Sequence, residues 1–304
     1  FVVLAARLYY LQIVRHDELE ARAIAQQVRE TTVSAPRGTI YDAKGEVLAM
    51  SAGVDTIYLS PAEIAQNNED AGAIAAGLAE ILGLDYDAVY AKTQNTRSWY
   101  EVVARKVEED VATAVREFKE EGGYTGIKLE ADTKRYYPNG SLAAHVIGFV
   151  GTDNTGLGGI EAKYDKVLSG TNGYVMRSTT AAGTDMLYTS WEDYFDAVPG
   201  SDMVLTIDAG IQYYVEKHLA QAVEDYDIQN GAAAICMEVD TGAILAMASL
   251  GNFDLNDYQT ISGEAMAEID AAASGDAERA ELIAAAQHLQ WRNKAISDTY
   301  EPGS

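Results

Sequence analysis

Apolar residues along this 304-residue chain follow helical spacing in some stretches and strand-like alternation in others. Residues 1–14 are mostly apolar, broken by Arg7 and Gln12, and Leu19, Ile24 and Val28 continue at helical spacing to about Glu30. The run 1–14 is shorter than the ~20 apolar residues that cross a bilayer. It reads either as the end of a longer membrane helix or as the first turns of a soluble amphipathic one. Pro36 closes this region. Residues 37–42 then read as a short strand, Lys44-Gly45 as a turn and residues 46–49 as the returning strand. Ser60-Pro61-Ala62-Glu63 predicts a helix start, with Ser60 as cap, Pro61 in the first turn and Glu63 completing a capping box. Ile74, Leu78, Ile81 and Leu82 carry one apolar face on to a stop at Gly83. After a second short helical stretch, residues 99–107 alternate as a strand. Val111, Val115 and Phe118 mark a further helix ended by Gly122-Gly123, and Ile127, Leu129 and Ala131 alternate again.

Residues 136–173 are dense in glycine, including Gly140, Gly148, Gly156 and Gly159. A phosphate-cradling loop would need a Gly-Lys-Ser/Thr ending, which is missing. A calcium loop starting at Asp153 would need Glu where Tyr164 stands. Tight turns and close backbone packing account for the glycines better. Residues 174–199 are extended in character, and Pro199-Gly200 marks a turn and a domain boundary. A strand at 204–207 follows. Ile211, Tyr214, Val215, His218, Leu219, Ala222 and Val223 then trace the clearest amphipathic helix, which makes His218 a core or boundary residue. Residues 232–239 and 243–249 around Asp240-Thr241-Gly242 read as a buried hairpin that starts an antiparallel sheet with an exposed, aggregation-prone edge. A last helix runs from about 277 to 291.

Composition narrows the function. Twenty-two Lys and Arg against 47 Asp and Glu leave a net charge of −25, which excludes the basic surface that nucleic-acid binding needs. Cys236 is the one cysteine, so neither an internal disulfide nor a thiolate metal cluster forms, and its apolar surroundings make it a core thiol. The four histidines show no ligand-like spacing, so no metal is expected, and no cofactor.

Five blocks occur in order. Arg37-Gly38-Thr39-Ile40-Tyr41-Asp42 is followed by Gly45 and Leu48-Ala49. Arg135-Tyr136-Tyr137-Pro138-Asn139-Gly140 is followed by His145 and Gly148. Gly156, Gly159-Ile160-Glu161, Tyr164-Asp165 and Leu168-Ser169-Gly170 make a third. Leu205-Thr206-Ile207-Asp208 with Gln212, together with residues 240–247, makes a fourth. Asn293-Lys294-Ala295-Ile296 and Tyr300-Glu301-Pro302-Gly303-Ser304 make the fifth. In this order the chain resembles a class B penicillin-binding protein, a monofunctional peptidoglycan D,D-transpeptidase, over nearly its whole length. Each block alone is weak, and the five together are specific.

The resemblance implies an α+β chain. An elongated pedestal, or dimerisation, domain (15–200) would follow the remnant of an N-terminal membrane anchor (1–14). The incomplete N-terminal part of an α/β/α transpeptidase domain of the serine beta-lactamase-like kind would occupy 201–304. Ser304 would be the catalytic nucleophile of a Ser-x-x-Lys motif, in which a lysine three positions on shares its helix face and activates the hydroxyl. Stem peptides of peptidoglycan would be the substrate, and beta-lactams would acylate the same serine. Arg37, Gly38, Asp42, Gly45, Arg135, Pro138, Gly140, Gly159 and Glu161 would be structural residues of the pedestal motifs. If Arg37 and Glu161 are buried together, losing one partner would cost about 3–5 kcal/mol; if both are solvated, very little.

The family also implies a single-pass membrane protein with its bulk on the extracytoplasmic side, and a polytopic membrane glycosyltransferase as partner. Since the lysine, Ser-x-Asn and Lys-Thr-Gly elements would all follow Ser304, this chain as given is expected to lack transpeptidase activity. A second reading is a non-catalytic pedestal module that binds the glycosyltransferase. A third, a penicillin-sensing receptor or serine beta-lactamase, fits less well because neither has the pedestal stretch before Pro199.

Overall fold

A computed structural model describes residue 7 and residues 28–178, 192–228 and 231–299. The chain forms two compact units that interleave in sequence. One contains Phe1–Ala35, Gly53–Asp132 and Thr171–Val198; the other contains Pro36–Ala52, Thr133–Gly170 and Pro199–Ser304.

The core of the first unit is aliphatic. Ile57, Leu59, Ile74, Leu78, Val115 and Ile127 are all fully buried between strands and helices. The strand Val47–Leu59 runs well past the expected 46–49, and within this unit it pairs antiparallel with Glu101–Val107, Ile57 opposite Ala104. Helix Ala71–Leu82 stops at Gly83 with φ +65°, and helix Glu109–Gly122 stops at Gly123 with φ +63°, both as the glycines predict. The helix expected to reach Glu30 gives way to the strand Val28–Val33, which pairs with Gly173–Ser178. Its Thr31-Thr32-Val33 run favours that pairing. Residues 8–27 of the expected helix lie outside the described residues. The extended character of 174–199 appears in the antiparallel strands Gly173–Ser178 and Glu192–Phe195.

The capping box at Ser60 does not form. Helix Pro61–Gln66 starts where predicted, yet the Ser60 hydroxyl makes no cap bond. Long-range partners take the other two groups: the Ser60 N–H donates to the Gly126 carbonyl at 2.8 Å, and Glu63 pairs with Lys128 at 2.8 Å.

In the second unit Ile40–Tyr41 pairs antiparallel with the start of Val47–Leu59 and parallel with Met203–Val204. Both are shorter than the strands expected at 37–42 and 204–207, and the second also begins one residue earlier. The reason is that Gly38 N–H and Thr39 N–H donate to the Leu168 carbonyl and the Asp202 carboxylate instead of to a ladder. Helix Ala209–Asp225, the hairpin Ala233–Met237 and Ile244–Ser249, and helix Asp276–Trp291 match their expected positions. Helix Gly263–Ala272 was not expected, because its alanine-rich sequence gives little periodic contrast. Ile40, Leu48, Ile147, Phe149, Leu168 and Leu255 form the core.

Three expectations of burial fail here. In the strand Ala233–Met237, Ile235 and Met237 are about half exposed, at 50% and 55%. Cys236 is half-buried rather than in a core. His218 is exposed and lines an open apolar groove on helix Ala209–Asp225 with Ile211, Tyr214 and Leu219. The common cause is that the described residues of this unit supply only a two-stranded sheet beside the helix. Among the described residues no helix is long and apolar enough to cross a membrane.

Candidate functional site

Three of the sequence blocks meet in the second unit around one carboxylate. Glu161, 0% exposed, lies in the five-residue helix Gly159–Lys163. Arg37 donates through Nε and Nη2 to its Oε2 at 3.0 and 2.8 Å, and through Nη2 to its carbonyl at 3.2 Å. Arg135 donates through Nε to the other oxygen, Oε1, at 2.6 Å. Most of the remaining donors also find acceptors, although Arg135 Nη2 is buried without one among the described residues. Arg37 Nη1 reaches the Asn154 carbonyl and Asp165 Oδ1, both at 2.7 Å, and Arg135 Nη1 reaches the Gly38 carbonyl at 2.8 Å. Two guanidiniums and two carboxylates thus balance in charge within a buried cluster.

Glycine makes this approach possible. Gly159 sits at φ +53°, and a Cβ there would overlap the Val146 carbonyl and the Gly148 N–H. Gly38 is pressed against the Ser201 carbonyl, and a side chain at 38 would push the Arg37 backbone away from its partners. The dense glycines of this region therefore serve close backbone packing, as expected.

Asp165 is partly exposed. Burial alone would push its carboxyl up, but the Gly156 N–H at 2.9 Å and the Arg37 guanidinium outweigh that and hold it below the usual range. Tyr137, 4% exposed, keeps its proton, because burial pushes its hydroxyl far up and the nearby Glu161 charge adds to the push.

Asp42 joins the first block to the long helix. Its Oδ1 accepts from the Lys44 and Glu46 N–H groups at 2.8 Å, and its Oδ2 accepts from the Ala209 N–H at 3.1 Å, at the start of helix Ala209–Asp225. Its burial works against ionisation, yet these three N–H donors prevail and hold its pKa low. Asp208 caps the same helix through the Ile211 N–H and pairs with Lys44 Nζ at 2.8 Å; that lysine is the main reason its carboxyl is held low. Gln212, fully buried, brackets the backbone of Met247 in the hairpin through both ends of its amide.

Gly45 and Gly140 occupy turn positions at φ +87° and +58°. Pro138 is exposed at the second position of the turn that the Gly140 N–H closes onto the Tyr137 carbonyl at 3.0 Å. Ser304, with Tyr300-Glu301-Pro302-Gly303, lies outside the described residues.

Sequence reasoning missed Asp165, Asn154 and Ser51 as partners of the two arginines; the Ser51 hydroxyl accepts from the Arg37 N–H at 3.1 Å and from Arg135 Nη1 at 3.4 Å. Asp165 stood inside the third block and was open to discovery there. Asn154 acts through its carbonyl, which leaves no trace in residue type. Arg37, Arg135 and Glu161 are each buried, so this arrangement fixes backbone positions and offers no opening to a ligand.

Residues 32–205 match the family described as Penicillin-binding Protein dimerisation domain, and residues 232–304 match Penicillin binding protein transpeptidase domain. Peptidoglycan D,D-transpeptidase FtsI of Escherichia coli (strain K12) is 30% identical over 309 residues, covering 99% of this chain and 46% of that protein. Stage V sporulation protein D of Bacillus subtilis (strain 168) is 30% identical over 306 residues, covering 100% of this chain and 42% of that protein. The chain spans about half the length of these curated relatives. A solved complex between Penicillin-Binding Protein (PBP2) and MreC from Helicobacter pylori holds a chain of like fold. Its TM-score is 0.56 at 21% identity, covering 81% of this chain and 47% of that one. The expected α+β order, a dimerisation domain followed by transpeptidase-domain residues, agrees with these matches.

Proposed function

This chain belongs to the class B penicillin-binding proteins, and on that premise we propose that the full-length protein is a serine D,D-transpeptidase that cross-links peptidoglycan through Ser304. The observation that carries the reading is the transpeptidase-family match over 232–304, which takes in Tyr300-Glu301-Pro302-Gly303-Ser304. The Ser304 Oγ attacks the penultimate D-alanine carbonyl of a stem peptide. The terminal D-alanine leaves with a proton, and an ester links peptide and enzyme. An amine from a neighbouring strand then attacks that ester, forming the cross-link and restoring the serine hydroxyl. A lysine three residues after Ser304 would serve as base. A beta-lactam opens its ring on the same oxygen.

The domain division at about residues 15 and 200 belongs to this proposal, with 1–14 as the end of a membrane anchor and the bulk outside the cytoplasm. A polytopic membrane glycosyltransferase is the proposed partner of the pedestal. The Helicobacter pylori protein of like fold is itself in a complex, with MreC.

The test is covalent labelling of the full-length protein with a fluorescent penicillin. One label per molecule on Ser304, lost in Ser304→Ala, is the expected result. Labelling that persists in Ser304→Ala, or a wild-type protein that takes no label, overturns the proposal.

A further inference from the structure

His145 belongs to the second block yet takes no part in the ion cluster. It lies in the short helix Ala144–Ile147, is 7% exposed, and meets Phe253 edge-on at a centroid distance of 5.4 Å. Its Nε2 is 2.9 Å from the carbonyl oxygen of Gln290. A carbonyl only accepts, so the ring carries its hydrogen on Nε2 and donates. Burial pushes its pKa down, favouring the neutral ring, and outweighs the opposing hydrogen bond to Gln290.

The acceptor sits at a telling place. Gln290 is the penultimate residue of helix Asp276–Trp291, where the last carbonyls have no N–H one turn on. The contact is repeated from the other side of the same histidine. The Asn293 carboxamide donates to the His145 carbonyl at 3.4 Å, and its Oδ1 caps helix Lys294–Ser297 through the Ala295 N–H at 3.1 Å. Lys294 Nζ adds a bond to the Leu250 carbonyl at 3.1 Å. Residues 290–294, the joint between two helices, are thus gripped by His145 through both ring and backbone, and the chain runs on from this joint to Ser304.

We propose that His145 is a positioning residue for acylation: its Nε2–H holds the end of helix Asp276–Trp291 and so sets the point from which the segment bearing the nucleophile departs. The inference rests on the reading of Ser304 as that nucleophile. A purely packing role is the competing account, since a phenylalanine would fill similar space and keep an edge contact with Phe253. The two differ in the hydrogen bond. Phenylalanine leaves the half-buried Gln290 carbonyl without its donor, whereas a glutamine places an amide N–H where the imidazole Nε2 lies. Small displacements of a nucleophile weigh heavily on rate, because reacting atoms must be held near 3–3.5 Å.

The experiment measures the first-order acylation rate and the pre-acylation affinity of full-length wild type, His145→Phe and His145→Gln with a fluorescent penicillin, alongside their melting temperatures. His145→Phe is expected to acylate about tenfold more slowly at unchanged pre-acylation affinity, with His145→Gln within about threefold of wild type. A His145→Phe protein that acylates at the wild-type rate overturns the inference. So does a His145→Gln protein as slow as His145→Phe, which would assign the effect to ring shape. If His145→Phe does not fold, Asn293→Ala takes its place. About threefold slower acylation is then expected, and a wild-type rate overturns the inference. A wild-type protein that takes no penicillin overturns the proposed function beneath it and the inference with it; labelling with no effect of any variant overturns the inference alone.

Discussion

Leu78 in one unit and Glu161 in the other are equally buried, at 0% exposed, yet they hold their surroundings in different ways. Leu78 packs among aliphatic neighbours, where each contact is small and a neighbour can shift to recover part of a loss. Glu161 is the shared counter-charge of Arg37 and Arg135, and no neighbour can replace it. An aliphatic core tolerates changes of shape, while a buried ion cluster demands particular residues at particular places. The charge balance within the cluster also ties together stretches that lie far apart in the chain.

The comparison can be broken most directly at Glu161. Glu161→Ala leaves Arg135 buried without a carboxylate and Arg37 with Asp165 alone, and is expected to lower stability by about 3–5 kcal/mol, read from urea denaturation. Leu78→Ala is expected to cost about 2–5 kcal/mol, and Leu78→Met under about 1.5 kcal/mol because volume is kept. A Glu161→Gln protein as tolerant as Leu78→Met would erase the distinction. Gly159→Ala comes next, at about 1–3 kcal/mol, since it sets a Cβ on a residue at φ +53° against the Val146 carbonyl; its melting temperature should fall accordingly.

Acid sharpens the contrast in another way. The Asp42 and Asp165 carboxyls are held below the ordinary aspartate value in the folded protein. Their contribution is therefore present above the unfolded value of about 3.9 and is lost as pH falls below it through the folded values. Stability should decline over that window, and Asp42→Asn should flatten the decline. An equally steep decline in the variant would remove Asp42 from the account. The smallest effect is at helix starts in the aliphatic unit. Ser60→Ala should leave stability nearly unchanged or raise it, because its hydroxyl is buried without a hydrogen-bond partner among the described residues. Asp70→Ala should cost about 1 kcal/mol because Asp70 accepts from the Gly72 and Ala73 N–H groups. Equal costs at the two caps, by thermal denaturation, would contradict the geometry.

The two regions also differ in how far the sequence exposed them. Periodicity and glycine stops located helix Glu109–Gly122 and the end of helix Ala71–Leu82, because an apolar stripe is a local signal, but the single helix expected from Pro61 to Gly83 breaks after Gln66 and restarts at the Asp70 cap. Local signals failed where a distant partner intervened. Val28–Val33 is a strand because Gly173–Ser178 pairs with it, and Ser60 loses its box to Gly126 and Lys128. The ion cluster gave no periodic sign, since Arg37, Arg135 and Glu161 look like surface residues until their blocks are read in order. His218 shows the reverse error: it lies on an apolar helix face, and that face is exposed among the described residues.

A double-mutant cycle between Arg37 and Glu161 tests the central claim, that one carboxylate fixes the blocks together. Stabilities of wild type, Arg37→Ala, Glu161→Ala and the pair are compared by urea denaturation. The account predicts that the double variant is more stable than the sum of the single losses implies, with a coupling of about 1.5–3 kcal/mol. Losses that add to within about 0.5 kcal/mol would contradict it.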